Sequence, residues 1–153
     1  MTSKNLVSLG LSAMFMLSLI ALPINSSTQS EPIVFAHIDP FSGPIKDVGI
    51  EASIFAEYAI ERINTNGGVL GRKIKLIKYD NQMKPDISVR MAKKAVLEDG
   101  AKIIMNHASS AVALALSKVA RELDMIHLVI HGEADEITGS KFQPNSFRVC
   151  LST

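Results

Sequence analysis

Short apolar runs recur along the chain and alternate with longer segments in which apolar residues return every three or four positions. The runs are bounded by turn residues and predict β-strands over 33–38, 73–79, 102–105, 125–130 and 147–151. In the second run, Lys73, Lys75 and Lys78 alternate with apolar residues. This alternation predicts a strand closer to the edge of a sheet than the others.

Helices are predicted between the strands, over 50–64, 86–98 and from Ser109 or Ser110 to Leu123. The first helix has apolar residues at helical spacing, namely Ile54, Phe55, Tyr58, Ala59 and Ile63. Asp86 and one of the two serines have side chains that commonly cap a helix N-terminus. Gly67 and Gly100 follow the first two helices and predict where these helices end.

Four alternations of strand and helix predict an α/β fold with a doubly wound parallel sheet in three layers, α/β/α. Ligands of such sheets bind beyond the carboxyl ends of the strands. The functional residues are therefore expected in the loops 39–48, 106–110 and 131–134, and a polar loop is predicted over 131–145.

The first 28 residues differ from everything that follows. Lys4 stands in a start without acidic residues, an apolar run covers 6–24, and small polar residues follow at 25–28. This order predicts a secretory signal peptide over 1–28. An uncleaved membrane anchor is the alternative, because about 18 to 20 apolar residues span a bilayer. Pro23 and the small residues inside the run favour cleavage.

Charge and cysteine content narrow the choice of partners and compartment. The chain carries 16 Lys and Arg residues and 15 Asp and Glu residues, and no segment concentrates one sign. Nucleic acid is therefore excluded as an expected partner. Cys150 is the only cysteine, so an internal disulfide is impossible and no lipid-anchoring cysteine follows the leader. An exported protein of a Gram-negative periplasm is expected.

Several motifs resemble the leucine/isoleucine/valine-binding family of transporter receptors. They are Asp-Pro-Phe-Ser-Gly-Pro at 39–44, Gly-Gly-Val-Leu-Gly-Arg at 67–72, Tyr-Asp-Asn at 79–81 and Ser-Ser at 109–110. The glycine-rich run after a helix is the most specific of these motifs. The resemblance covers the whole chain after the leader.

The resemblance implies the first of two similar lobes, of the periplasmic-binding-protein type I, which close on a ligand between them. Residues 32–153 would form this N-terminal lobe, and the chain stops about where the first crossing to a second lobe would begin. The implied function is that of the substrate-binding component of an ABC transporter, which binds an amino acid, an amide or a related solute. A membrane permease is the implied partner, no cofactor is implied, and a monomer is expected.

The resemblance also implies ligand contacts, at Ala108, Ser109, Ser110, His131 and Glu133, with Val48 where some relatives have an aromatic residue over the ligand. Two hydroxyls at a helix start suit a carboxylate, although both serines can instead serve only as caps. Relatives usually have Ser or Thr at the position of Glu133, whose carboxylate would repel an amino-acid carboxylate. Either the ligand is a neutral amide or a cation, or Glu133 points to solvent.

The rival interpretation is an exported or membrane-tethered α/β enzyme or sensor on the same fold. An enzyme would need a nucleophile beside a base, and Ser110 with His107 or His131 is the pairing that the sequence offers. The four histidines do not have the close helical spacing of a zinc site, so no metal is expected. His37 and His127 lie inside predicted strands, which favours a core position for both.

Overall fold

The computed structural model describes residues 31–152, and these form a five-stranded parallel sheet. The predicted leader, 1–28, lies outside the described residues. In chain order the strands are β1 (Ile33–Asp39), β2 (Ile74–Asp80), β3 (Ile103–Asn106), β4 (Ile126–Val129) and β5 (Ser146–Arg148). They lie in the order β2-β1-β3-β4-β5, so β2 occupies an edge as its lysines predicted.

Helices connect the first four strands, and a short 3₁₀ helix precedes β5. They are α1 (Lys46–Thr65), α2 (Pro85–Leu97), α3 (Ser110–Glu122) and the 3₁₀ helix Asp135–Ile137. The chain winds from β1 to β2 on one side and then from β3 to β5 on the other, so the winding direction reverses between β1 and β3. The predicted doubly wound α/β fold is therefore confirmed, and its switch point lies at the carboxyl ends of these two strands.

The main core lies between the sheet and the helices α2 and α3. Alternate residues of the central strands, including Ala36, Ile38 and Ile104, point to this face and are fully buried. They pack on Ala92, Ala95 and on the buried stripe of α3 that includes Leu116. The small alanines let α2 approach the sheet closely, and the branched strand residues fill the remaining space.

Helix α1 lies on the opposite face of the sheet and packs mainly on β2. Its buried residues are Gly49 and Ser53, whereas Phe55 and Tyr58 are 73% and 61% exposed. A Cβ atom at Gly49 would overlap the carbonyl oxygen of Pro40. Most of the apolar residues that predicted this helix are therefore exposed, because small residues make its closest contacts with the sheet.

Two local predictions need correction. Asp86 is not the N-cap of α2, because Lys84 holds that position and Pro85 begins the helix. The Asp86 carboxylate instead pairs with Arg90 one turn later, at 3.1 Å. Helix α1 also begins at Lys46, four residues before its predicted start, so part of the predicted loop 39–48 is helical.

None of the helices within residues 31–152 is long and apolar enough to cross a membrane.

Candidate ligand-binding site

The carboxyl end of β1 supplies a buried acid that holds the loop after β3. Asp39 is completely buried, and its carboxylate accepts hydrogen bonds from the backbone N–H of His107, at 2.8 Å, and of Ala108, at 2.9 Å. The ring of His37 contacts the same carboxylate through Nε2, at 2.6 Å. Hydrogen bonds to a charged group contribute about 1.5 to 3 kcal/mol each. Asp39 therefore fixes the loop across the switch point.

A second strand-end acid, Asp80 at the end of β2, holds the loop after β1. Its carboxylate accepts hydrogen bonds from the backbone N–H of Phe41, at 2.9 Å, and from the Ser42 hydroxyl. Burial raises the pKa of Asp80, but the hydrogen bonds from Ser42, Phe41 and Gln82 together outweigh burial and lower it. The ionised form that fixes this loop is thus favoured.

The two serines at the start of α3 have different tasks. Ser109 is the N-cap, and its hydroxyl accepts a hydrogen bond from the N–H of Val112 at 3.3 Å. Ser110 accepts hydrogen bonds from the backbone N–H of Glu133, at 3.1 Å, and of Ala134, at 3.2 Å. A hydroxyl has two acceptor positions and one donor, so the O–H of Ser110 remains as a donor. Ser110 joins the loops after β3 and β4.

The loop after β4 is held from the other side by Arg148 of β5. The Arg148 guanidinium donates to the carbonyl oxygens of Glu133, at 3.2 Å, and of Ala134, at 3.0 Å. It also donates to the Thr138 hydroxyl, at 2.8 Å. The backbone of residues 133 and 134 is therefore bound on its N–H side by Ser110 and on its carbonyl side by Arg148.

An imidazole and a carboxylate meet at the exposed rim of these loops. His131 Nε2 lies 2.9 Å from Glu133 Oε1, and the two side chains are 55% and 46% exposed. The His131 ring also stacks at a tilt on the ring of His107, with 4.9 Å between centroids. The Glu133 carboxylate is thus half exposed and pairs with His131.

A buried polar network supports both loops from behind. His127 contacts the Asn106 side-chain oxygen through Nε2, at 2.9 Å, and lies within 3.3 Å of the Ser117 and Ser146 hydroxyls through Nδ1. Burial lowers the pKa of His127 to about 3, so the ring is neutral at neutral pH. The network joins β3, β4, β5 and α3 directly below the start of the two loops.

A cavity of about 410 Å³ lies between α1 and the sheet, next to the loop after β3. Val48, Phe55, Met105, His107 and Ile130 are among its lining residues. Burial lowers the pKa of His107, and its Nδ1 atom is buried without a hydrogen-bond partner in the described part of the chain. Val48 therefore shares a cavity with His107 rather than with Ser110 or Glu133.

The structure brings together five of the six residues that the resemblance singled out. Ala108, Ser109 and Ser110 follow β3, His131 and Glu133 follow β4, and hydrogen bonds to Ser110 connect the two loops. Asp39 and Asn106 lie within the loop ranges 39–48 and 106–110 that topology predicted, but their contacts were not predicted, and Arg148 was missed as a supporting residue. An acid directly after a buried strand was the available signal for Asp39, whereas nothing in the sequence connects Arg148 with residues 14 and 15 positions earlier.

Ser110 makes no hydrogen bond to His107 or His131 among residues 31–152. Within the same residues, no three His, Cys, Asp or Glu side chains lie close enough to hold a metal ion. Cys150 is a half-buried free thiol whose Sγ contacts the carbonyl oxygen of Gly132 at 3.3 Å.

Known proteins with similar sequences share this lobe. The family model for periplasmic binding proteins matches residues 32–153. Leu/Ile/Val-binding protein homolog 4 of Brucella abortus (strain 2308) is 33% identical over 130 residues, which are 80% of this chain and 31% of the relative. The Leu/Ile/Val-binding protein of Escherichia coli (strain K12) is 30% identical over 124 residues, which are 81% of this chain and 34% of the relative. The chain thus spans about a third of the length of these relatives.

Solved structures agree with the sequence matches. A leucine-, isoleucine-, valine-, threonine- and alanine-binding protein from Brucella ovis, in a closed conformation, superposes with a TM-score of 0.76 at 33% identity, over 80% of this chain and 33% of that one. An ABC-type branched-chain amino acid transporter protein from Rhodopseudomonas palustris superposes with a TM-score of 0.73 at 33% identity, over 78% of this chain and 33% of that one. With a family model that covers almost all of the described residues, the chain belongs to the periplasmic binding protein family and is related to its leucine/isoleucine/valine-binding members.

Proposed function

We propose that this chain is the ligand-binding first lobe of a substrate-binding protein that delivers a small polar solute to the membrane permease of an ABC transporter. The observation that carries the proposal is the position of Ser110, which joins two loops at the carboxyl edge of the sheet. Its remaining O–H donor suits a carbonyl or carboxylate oxygen of a ligand. The binding role of the relatives supports the same interpretation.

The ligand that this edge favours has an acceptor oxygen for Ser110 and no negative charge near Glu133. Glu133 carries a carboxylate at the rim, and its backbone N–H lies 3.1 Å from the Ser110 hydroxyl. Like charges at close range repel, so a free carboxylate on the ligand is disfavoured. A primary amide or an amino compound without a free carboxylate satisfies both groups.

A binding role is favoured over catalysis by the arrangement of Ser110. Both acceptor positions of its hydroxyl bind backbone N–H groups, and its hydrogen bonds include none to an imidazole. A serine nucleophile needs a base that takes its proton. A hydrolytic activity lost in Ser110→Ala would support the enzyme instead.

Nuclear magnetic resonance titration of the exported protein tests the binding site. Leucine, leucinamide and a polyamine are added in turn, and the amide signals of Ser110, Glu133 and Ala134 are followed. We expect leucinamide to shift these signals and Ser110→Ala to abolish the shift. Thr65→Ala, an exposed substitution at the far end of α1, is the matched control. Signal shifts that persist unchanged in Ser110→Ala would contradict the proposed site.

Export is tested separately, because the leader belongs to the proposed function. Cleavage near residue 28 predicts a periplasmic protein that begins shortly after the apolar run. Mass spectrometry of a periplasmic extract identifies the first residue. An intact Met1 in the membrane fraction would instead indicate an anchored receptor.

A further inference from the structure

A histidine lies inside the first strand, between apolar neighbours. His37 stands between Ala36 and Ile38 in β1, and strand alternation turns it to the face opposite theirs, toward α1. The side chain of His37 has no exposed surface, and neither has that of Asp39. Residues 31–152 therefore enclose the contact between these two side chains completely.

The hydrogen bonds of Asp39 determine which nitrogen of His37 carries a hydrogen. Both oxygens of the Asp39 carboxylate accept from the backbone N–H of His107, and one of them also accepts from the N–H of Ala108. A carboxylate in this arrangement acts as an acceptor, so His37 donates to it through Nε2, at 2.6 Å. The other ring nitrogen, Nδ1, is buried and has no hydrogen-bond partner in the described part of the chain.

Folding stability alone does not explain a histidine at this position. A hydrogen bond to a charged group stabilises the fold, but a buried polar atom without a partner destabilises it by a similar amount. An apolar residue of similar size would avoid the free-energy cost of burying an imidazole. The contribution of His37 therefore lies in where it holds the Asp39 carboxylate.

His37 also contacts the loop after β1. Its ring lies edge-on to the ring of Phe41, with 5.4 Å between centroids and 88° between the planes. The backbone N–H of Phe41 is held in turn by Asp80 at the end of β2. His37 thus lies between the two strand-end acids, because Phe41 connects it with Asp80 and its Nε2 atom bonds to Asp39. A change at this one side chain reaches the loops after both β1 and β3.

We propose that His37 is a positioning residue of the ligand edge, which orients the Asp39 carboxylate and thereby places the loop 107–110 that carries Ser110. The proposal rests on the proposed function, because it assigns to His37 an effect on the ligand that Ser110 binds. His37 touches no ligand itself. It acts through Asp39, whose oxygens accept from both His107 and Ala108 only while the carboxylate keeps this orientation.

Two substitutions of His37 in the exported protein separate its hydrogen bond from its volume. His37→Gln keeps an N–H donor at about the place of Nε2, whereas His37→Leu fills much of the space without a donor. We expect His37→Leu to speed amide hydrogen exchange at His107 and Ala108, relative to the amide of Leu116 in the core, and to weaken leucinamide binding. Each change should be about tenfold, which corresponds to one hydrogen bond to a charged group. His37→Gln should restore both quantities toward their wild-type values.

Ser88→Ala is the matched control. It removes another fully buried side chain with one hydrogen bond, from the Ser88 hydroxyl to the carbonyl oxygen of Lys84, on α2 at the opposite face of the sheet. It should leave leucinamide binding and the relative exchange of the two loop amides unchanged.

Three results would overturn the proposal. In the first, His37→Leu speeds exchange at Leu116 by the same factor as in the loop, which would make His37 a purely structural residue. In the second, the loop amides exchange faster but leucinamide binds as tightly as to the wild type. In the third, nuclear magnetic resonance of the imidazole nitrogens places the hydrogen on Nδ1 instead of Nε2. If the wild type does not bind leucinamide, the proposed ligand is wrong, and the exchange and nitrogen measurements still decide whether His37 positions the loop.

Discussion

Removal of the charge of Glu133 should relax the discrimination against ligands with a carboxylate. In Glu133→Gln the side chain keeps its size and a hydrogen-bonding oxygen for His131, which lies 2.9 Å from the native carboxylate. For the calculation we take a separation of about 6 Å between that carboxylate and a charged ligand oxygen on the Ser110 hydroxyl. Two unit charges at this distance repel by about 3 kcal/mol at an effective dielectric of 20, and by about 0.7 kcal/mol in water.

The half-exposed position of Glu133 places the expected effect between these limits. We expect about 2 kcal/mol, or a factor of roughly 30 in affinity. The assay compares the dissociation constants of leucine and leucinamide, whose ratio should fall by this factor in Glu133→Gln. Glu136→Gln, an exposed change three residues later, should leave the ratio unchanged. A ratio that is the same in wild type and Glu133→Gln would refute the electrostatic argument.

Three further predictions concern the groups that hold the site. Asp39→Ala leaves two backbone N–H groups without their acceptor and should lower the free energy of unfolding, measured by chemical denaturation, by about 3 to 5 kcal/mol. Asp47→Ala, at the exposed start of α1, is the control and should lower it by less than about 1 kcal/mol. Gly49→Ala should destabilise the protein despite the higher helix propensity of alanine, because the new Cβ overlaps the Pro40 carbonyl; a raised melting temperature would contradict the packing of α1. Burial lowers the pKa of His127 from 6.5 to about 3, so its contribution to stability is complete above about pH 6.5 and is lost as the pH falls toward 3. The loss amounts to about 2 kcal/mol between pH 7 and pH 5. The free energy of unfolding, measured by denaturation over these pH values, should therefore fall more steeply with decreasing pH in the wild type than in His127→Gln.

The strands were predictable because each one is a short apolar run bounded by turn residues. Apolar runs between turn residues predicted the strand ends to within one residue, except that β5 ends at Arg148, three residues before its predicted end, and the lysines of β2 identified the edge. Helix starts were less predictable. Pro85 begins α2 through its fixed backbone angle, which overrides the capping side chain of Asp86. The start of helix α1 at Lys46 was missed because its first turn, residues 46–49, has Val48 as its single apolar residue and so carries no periodic signal.

The candidate site was only partly predictable, because the residues that its hydrogen bonds connect are far apart in the sequence. Topology alone placed the loops after β3 and β4 at one edge, and Ser109 was predicted as one of two possible caps. The hydrogen bonds of Ser110 join residues 23 and 24 positions apart, and those of Asp39 join residues 68 and 69 positions apart. Such pairs depend on how the strands are placed in space, which periodicity does not determine.

The loops of this edge are ordered by the lobe itself, and this determines what a ligand has to contribute. Asp39 fixes the backbone after β3, while Ser110 and Arg148 fix the backbone after β4 from opposite sides. The conformational entropy of these loops is therefore lost when the lobe folds, and not when a ligand binds. A ligand on this lobe alone would still leave much of its surface in water, since deep enclosure normally covers most of a small molecule. Weak binding by the lobe would then reflect missing enclosure rather than disordered contacts, and it would preserve the ranking of ligands that Ser110 and Glu133 impose.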